Sequence, residues 1–193
     1  LESTERRGRG FISRDVRLQR GDGTYRWFEL RARGMSGPDS RLVRAIGTLS
    51  DITNTKRAEE RLLNDAVYDQ VTGLPNRALL LDRLNREISM HHIENLYVML
   101  LDIDRFKDIN DGLGFDAGDG LLNVVGRRIS SLVDPEDTVA RLPGNQFAIL
   151  VPNAGPNRNV PKFAEAVCAL IAQPVEIKNQ EVFLTAHMGV ARY

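Results

Sequence analysis

A chain of 193 residues is long enough for one large domain or two small ones, and 42% apolar residues supply material for a real core. The 26 basic and 26 acidic side chains cancel, so no bulk charge steers the chain to nucleic acid or to an anionic membrane. No apolar run is long enough to cross a bilayer and no signal peptide is present; the one cysteine, Cys168, excludes an internal disulfide and fits a reducing, cytoplasmic compartment.

The chain opens at Leu1 in a charged stretch and stops at Tyr193 directly after a strand-like run, which reads as part of a longer protein. Residues 11 to 53 read as antiparallel strands. Ile12, Val16 and Leu18 share one alternating face. Asp22-Gly23 is a hairpin signal, because a tight turn needs a positive φ that Gly adopts cheaply. Tyr25 to Ala32 is the return strand, with Trp27 and Phe28 on opposite faces. Ser36-Gly37-Pro38-Asp39 makes a second turn, and Leu42 to Leu49 a third strand. Three strands without helices are too few to seal a core, so this segment reads as half a domain.

Residues 54 to 68 are charged, lack Gly and Pro, and carry Ala58, Leu62 and Ala66 at helical spacing. They read as a linker helix. Such a helix either pairs with its copy in a dimer or is a solvated spacer between two domains.

From residue 69 onward helix and strand alternate. Asn76 is placed to cap a helix bearing Leu80, Leu84 and Ile88. Leu96 to Leu101 is a short apolar run suited to a buried central strand. A helix is expected from near Asp119, with Leu122, Val125, Ile129 and Leu132 inward. Thr138 to Leu142 and Phe147 to Val151 flank Pro143-Gly144-Asn145-Gln146 as a hairpin. Another helix carries Phe163, Val167, Leu170 and Ile171. A final strand alternates Val182, Leu184, Ala186, Met188 and Val190. The order β-α-α-β-β-α-β predicts an α+β fold of the ferredoxin-like or polymerase-palm kind, with helices packed on a mostly antiparallel sheet.

Asp102 ends the apolar strand, and Asp104 follows two residues later. Carboxylates at a strand end beside a hairpin tip suit a magnesium–nucleotide site, because magnesium takes hard oxygen ligands together with phosphate oxygens. Taken alone, a solvated D-x-D at a strand terminus explains the same residues. A calcium loop fails, since Lys107 stands where the sharp turn needs Gly.

The neighbouring motifs change the weighting. Asp69-Gln70-Val71-Thr72-Gly73-Leu74-Pro75-Asn76-Arg77 resembles the D-x-L-T-G-L-P-N-R stretch of GGDEF domains, the diguanylate cyclase family. Leu101 to Asp111 resembles that family's L-D-x-D-x-F-K-x-I-N-D. Gly114, Gly118 and Asp119 follow as in G-H-x-x-G-D, and Ala140 to Phe147 sits where A-R-x-G-G-D-E-F belongs. Four linked motifs in order make a specific match over most of residues 69–193. Upstream, Arg17-Leu18, Asp22-Gly23, Arg26-Trp27 and Gly47 to Thr53 resemble the C-terminal half of a PAS sensor domain, whose closing Asp-Ile-Thr leads into an output helix. The organisation implied is a PAS remnant over 1–53, a signalling helix over 54–68 and a GGDEF domain over 69–193.

In active members of the family two GTP-loaded domains face each other, and the 3′-hydroxyl of one GTP attacks the α-phosphate of the other to give cyclic di-GMP. The resemblance assigns magnesium to Asp102, the carbonyl of Ile103 and an acid at position 145, and catalysis to an acid at 146. Here those positions are Asn145 and Gln146. Each swap keeps the shape of a carboxylate and removes its charge. An amide oxygen is a poor partner for a divalent cation, and losing a positioned acid–base or charge partner costs roughly 10²–10⁴ in rate. Pro143 replaces the first signature glycine, and Pro143-Gly144 favours a type II turn, less suited to a hairpin than a primed one; an altered loop tip is expected. The following Gly144 and Phe147 are kept.

The resemblance further places Asn110 and Asp119 at guanine-reading positions and Phe106 and Lys107 on the phosphate side. Either Mg2+ and GTP bind here without turnover, Asp102 and the phosphates holding the metal, or Asn110 and Asp119 only cap and brace local structure. The family's product-inhibition Arg-x-x-Asp is Asp134-Pro135-Glu136-Asp137 here, and an acid cannot clamp phosphate as a guanidinium does. His91 and His92 read as surface residues, and His187 as packing rather than a ligand. Cys168 reads as structural, and Asp69 with Arg77 as a fold-bracing ion pair. The function expected is a catalytically silent GGDEF domain in cyclic di-GMP signalling. It would relay a PAS-sensed signal to a downstream EAL phosphodiesterase domain, as a homodimer through PAS and linker helix, with GTP or cyclic di-GMP as small-molecule ligands. The competing reading is an active cyclase with a divergent signature.

Overall fold

The computed structural model describes residues 11–36, 38, 42–89, 95–152, 154 and 158–193. His91 and His92, and positions 37 and 39 of the turn expected at 36–39, lie outside the described residues. The chain divides into two compact units, Leu1–Leu63 and Asn64–Tyr193.

The first unit is a meander of β1 (Phe11–Gln19), β2 (Tyr25–Ser36) and β3 (Leu42–Asp51), antiparallel in the order β1-β2-β3. The Asp22-Gly23 hairpin forms as expected. Gly23 sits at φ +83°, and Asp22 Oδ1 accepts from the Thr24 N–H at 2.9 Å. The register places Ile12, Ala32 and Gly47 in one cross-strand row and Arg14, Leu30 and Leu49 in the next. A glycine is required at 47, because a Cβ there would stand 2.4 Å from the Arg31 carbonyl oxygen. Helix α1 (Thr53–Val67) follows β3. Its first residue is tied to the sheet, since Thr53 Oγ1 accepts from the Trp27 N–H at 3.0 Å. Among the described residues of this unit only Thr53 is buried. Three strands and part of a helix do not close a core.

The second unit has a four-stranded antiparallel sheet in the order β5-β6-β4-β9, built from β4 (Tyr97–Ile103), β5 (Thr138–Arg141), β6 (Gln146–Val151) and β9 (Ala186–Arg192). Strand alternation gives β4 two different faces. Met99, Leu101 and Ile103 enter the main core with Phe147, Ile149 and Val151 of β6. That core is capped by Leu121, Val125 and Ile129 of α4 (Phe115–Ser130) and Val167 and Ile171 of α5 (Val160–Ile171). On the opposite face Leu80 and Leu84 of α2 (Arg77–Ser89) pack with Ala148 and Leu150. The result is an α+β fold with helices on both faces of an antiparallel sheet. Asn76 caps α2 as expected, its Oδ1 accepting from the N–H groups of Ala78 and Leu79 at 2.8 and 3.2 Å.

Several details differ from the sequence reading, among them Leu132, expected inward but 37% exposed beyond the end of α4. Helix α4 starts at Phe115 rather than near Asp119, and a separate α3 (Phe106–Leu113) precedes it. Gly114, at φ +87°, breaks the two apart. The run from Val182 to Val190 is not one strand. Val182 ends β8 (Gln180–Val182), which pairs with β7 (Val175–Ile177) around a turn of Lys178 and Asn179, both at positive φ. Only from Ala186 does the chain join β4. Asp69 does not pair with Arg77: its carboxylate takes both of its 2.9 Å bonds from Arg141.

Candidate functional site

Asp102 is the last polar residue of β4, set between the buried Leu101 and Ile103. The register places Gln146 directly across from it on β6 and His187 directly across on β9. Past Asp102 the chain turns sharply. Arg105, at φ +53°, starts α3, and the turn opens a cleft of about 570 Å³, within the range of small-molecule sites. Asp102, Ile103, Phe106, Lys107, Asn110 and Asn145 all line it. Six positions singled out in the sequence thus converge on one cavity. Gly144 also borders it; Pro143, Gln146, Phe147 and Asp119 do not. Phe147 is fully buried in the core beneath the hairpin, and Asp119 is exposed on α4.

The hairpin tip carries the central contacts. Gly144 sits at φ +83°, and the Leu142 N–H donates to the Gln146 carbonyl at 2.9 Å. Asn145 then grips the end of β4. Its Nδ2 donates to Asp102 Oδ1 at 2.7 Å and to the Ile103 carbonyl, while its own carbonyl accepts from the Ile103 N–H at 3.3 Å. Gln146 Nε2 donates to Asp102 Oδ2 at 2.7 Å. A carboxylate and a carbonyl can only accept, so both amides must turn their NH2 groups toward them. Hydrogens carrying partial positive charge therefore lie where a cation would approach. The donor set in this arrangement does not fit magnesium: Asp102 and Ile103 already accept from amides, and an amide NH2 is no ligand.

Two neighbours of Asp102 are held independently. Asp104 Oδ2 accepts from the Thr185 hydroxyl at 2.7 Å, and His187 Nδ1 lies 2.6 Å from Asp104 Oδ1. The Thr185 bond, then the His187 bond, hold the Asp104 carboxyl below the usual carboxylate range. His187 is not packing, as the sequence suggested; its side chain is 84% exposed and braces Asp104. Arg105 pairs with Asp108 at 2.7 Å. Lys107 is the cation of the cleft that has no ion-pair partner among the described residues.

At the other end of the cleft Asn110 leans onto α4. A Cβ at Gly118 would stand 1.9 Å from Asn110 Oδ1, so only glycine admits the asparagine there. That Oδ1 is buried and has no hydrogen-bond partner. Buried acceptors are rarely left unpaired, and this one belongs to a residue that lines the cleft. Phe115, 77% exposed, also borders the cleft. Its signal was its place in the G-H-x-x-G-D pattern, where it stands at the histidine.

Beneath the hairpin, Arg141 ties three segments together. It pairs with Asp69, its NH2 group donates to the Gly144 carbonyl at 3.0 Å, and its main-chain N–H donates to the Pro75 carbonyl at 2.9 Å. The Asp134–Asp137 stretch holds a residue that sequence reasoning missed. Arg158 donates to both oxygens of Asp137, whose side chain is 1% exposed, and pairs with Asp134 at 3.0 Å. No motif spacing links positions 137 and 158, so no sequence signal marks the pair.

The antiparallel sheet, the two helical layers and a carboxylate at the strand end beside a hairpin define a palm-type α+β domain with a nucleotide-sized cleft. The chain belongs to the GGDEF family: residues 66–193 match the family described as diguanylate cyclase, GGDEF domain. Among curated proteins it is 38% identical over 157 residues to the bifunctional diguanylate cyclase/cyclic di-GMP phosphodiesterase MucR of Pseudomonas aeruginosa, a match covering 80% of this chain and 22% of MucR. It is 34% identical over 143 residues to the cyclic di-GMP phosphodiesterase NbdA of the same organism, covering 70% of this chain and 18% of NbdA. The chain thus spans about a fifth of the length of these relatives. Among solved structures, the GGDEF domain of TpbB (YfiN) from Pseudomonas aeruginosa superposes with a TM-score of 0.61 at 35% identity, over 65% of this chain and 75% of that one. No helix among the described residues is long and apolar enough to cross a membrane.

Proposed function

We propose that this chain is a regulatory GGDEF module of cyclic di-GMP signalling that holds a guanine nucleotide without joining two of them. The observation that carries the reading is the pair of amides on Asp102. In the family the positions of Asn145 and Gln146 are acids; here they hydrogen-bond to the strand-end carboxylate and leave it without acidic neighbours on the hairpin. With no carboxylate on the hairpin and the nearby Asp104 tied to Thr185 and His187, phosphodiester formation loses the electrostatics it depends on.

Nucleotide binding is supported by what remains. Asn110, whose buried Oδ1 has no partner, reads the guanine edge; Asp119, outside the cleft lining on the exposed side of α4, joins it only by the family resemblance. Lys107 and the main chain at Phe106 serve the phosphates. Residues 1–53 act as the C-terminal part of a PAS sensor. Residues 54–68 carry its signal along α1, in a homodimer, and residues 69–193 receive it. The names of MucR and NbdA support a downstream cyclic di-GMP phosphodiesterase as the target, which the family resemblance makes an EAL domain, with nucleotide occupancy shifting its active population. Incubation of the protein with GTP and Mg2+, followed by chromatography for cyclic di-GMP, tests the silent reading. No product is expected; robust product that Asp102→Asn abolishes would return the domain to the active cyclases.

A further inference from the structure

We propose that the amides of Asn145 and Gln146 replace the divalent cations themselves, so that nucleotide binding in this cleft neither requires nor gains from a divalent metal. This deepens the regulatory reading above and rests on it for the identity of the nucleotide.

The geometry is that of a filled site. Both hydrogens of Asn145 Nδ2 are used, one on Asp102 Oδ1 and one on the Ile103 carbonyl, and Gln146 Nε2 takes Asp102 Oδ2. These acceptors are the same two groups, one carboxylate and one main-chain carbonyl, that the family resemblance assigns to metal. The Asn145 main chain also accepts from the Ile103 N–H, which locks the side chain in register with its targets. Rotating either amide to present its oxygen to a cation would set that oxygen against a carboxylate or a carbonyl.

Charge makes the same point. With acids at 145 and 146, three carboxylates would crowd the strand end, and only cations could hold them together. With amides the cluster carries one charge, and each of its two oxygens accepts an amide N–H. Nothing in it calls for a metal. Asp104 is committed to Thr185 and His187, and Arg105 to Asp108. The phosphates of a nucleotide therefore meet Lys107 without an intervening cation.

Two measurements test this. In the first, Mn2+ alone is titrated into the chain and bound metal is read by electron paramagnetic resonance. Wild type should show no binding that depends on Asp102. The Asn145→Asp/Gln146→Glu variant should gain Mn2+ affinity by about tenfold or more, and adding Asp102→Asn should remove it. Asp102-dependent binding by wild type, or no gain in a folded double variant, overturns the proposal. In the second, GTP is titrated calorimetrically into wild type in EDTA and in Mg2+. Equal affinities support the proposal, and tighter binding with Mg2+ overturns it. Absence of GTP binding in both refutes the nucleotide reading, and the Mn2+ comparison then decides this inference alone.

Discussion

Asn145 and Asp102 are 43 residues apart in the chain and 2.7 Å apart across the hairpin, and the contact runs from an amide N–H to a carboxylate oxygen. A hydrogen bond to a charged group contributes about 1.5–3 kcal/mol. Asn145→Asp would convert that bond into a repulsion between two carboxylates. The variant should lose about 2 kcal/mol or more in urea denaturation in EDTA. Added Mn2+ should restore most of it, because the cation supplies the charge the amide hydrogens had supplied. An isosteric swap that leaves stability unchanged in EDTA would show that the contact is idle.

Arg141 and Asp69 form the brace under the same hairpin, with side chains 13% and 21% exposed. Burial raises the Asp69 carboxyl, and the hydrogen bonds from Arg141 and Thr72 outweigh it, so the carboxyl titrates below its ordinary value. A carboxylate depressed in the folded state stabilises the fold above its unfolded pKa, and the benefit fades as pH falls toward the folded value. The Asp69 part of urea stability should therefore be lost as pH falls below about 4, and Asp69→Asn should flatten that part of the slope. At neutral pH the same variant should be less stable by about 2 kcal/mol.

Arg158→Ala should be among the most damaging single changes in the second unit. It leaves the Asp137 carboxylate, 1% exposed, without its guanidinium. Breaking a buried pair from one side costs about 3–5 kcal/mol. Thermal denaturation of the variant at neutral pH measures it. A partial recovery is expected in Arg158→Ala/Asp137→Asn, which removes the stranded charge.

Gly118→Ala separates binding from folding. The new Cβ would overlap Asn110 Oδ1, the far end of a movable side chain. Asn110 must swing aside and the Phe106 ring, 3.1 Å from the new Cβ, must give, which should cost about 1–3 kcal/mol of stability and leave the domain folded. The same movement takes the unpaired acceptor out of the cleft, so GTP affinity should fall sharply. Calorimetry and denaturation on one preparation check both halves.

The sequence carried the frame of the second unit because its signals are local. Asn76 caps α2 through the Ala78 and Leu79 N–H groups, the apolar run before Asp102 forms β4, and Gly144 lies at the hairpin tip. The convergence of Asp102, Asn110 and Asn145 on one cleft was legible because family motifs tie them together. What escaped depends on pairs distant in sequence or on turns with unusual residues. Asp69 meets Arg141 from 72 residues away, so the adjacent Arg77 looked the better partner. Asp137 meets Arg158 across 21 residues that share no motif. Lys178 and Asn179 bend back at positive φ without a glycine, so the β7–β8 hairpin gave no turn signal. Charge loss at 145 and 146 was visible in the residue types. That the two amides would close on the remaining carboxylate needed coordinates.

Crystals grown with GTP and Mn2+, measured at the manganese edge, test the account at its centre. The prediction is nucleotide in the cleft, the Asn145 and Gln146 amides still on Asp102, and no anomalous peak at coordinating distance from that carboxylate. Two ordered manganese ions bridging Asp102 and the hairpin, with the amides displaced, would contradict it.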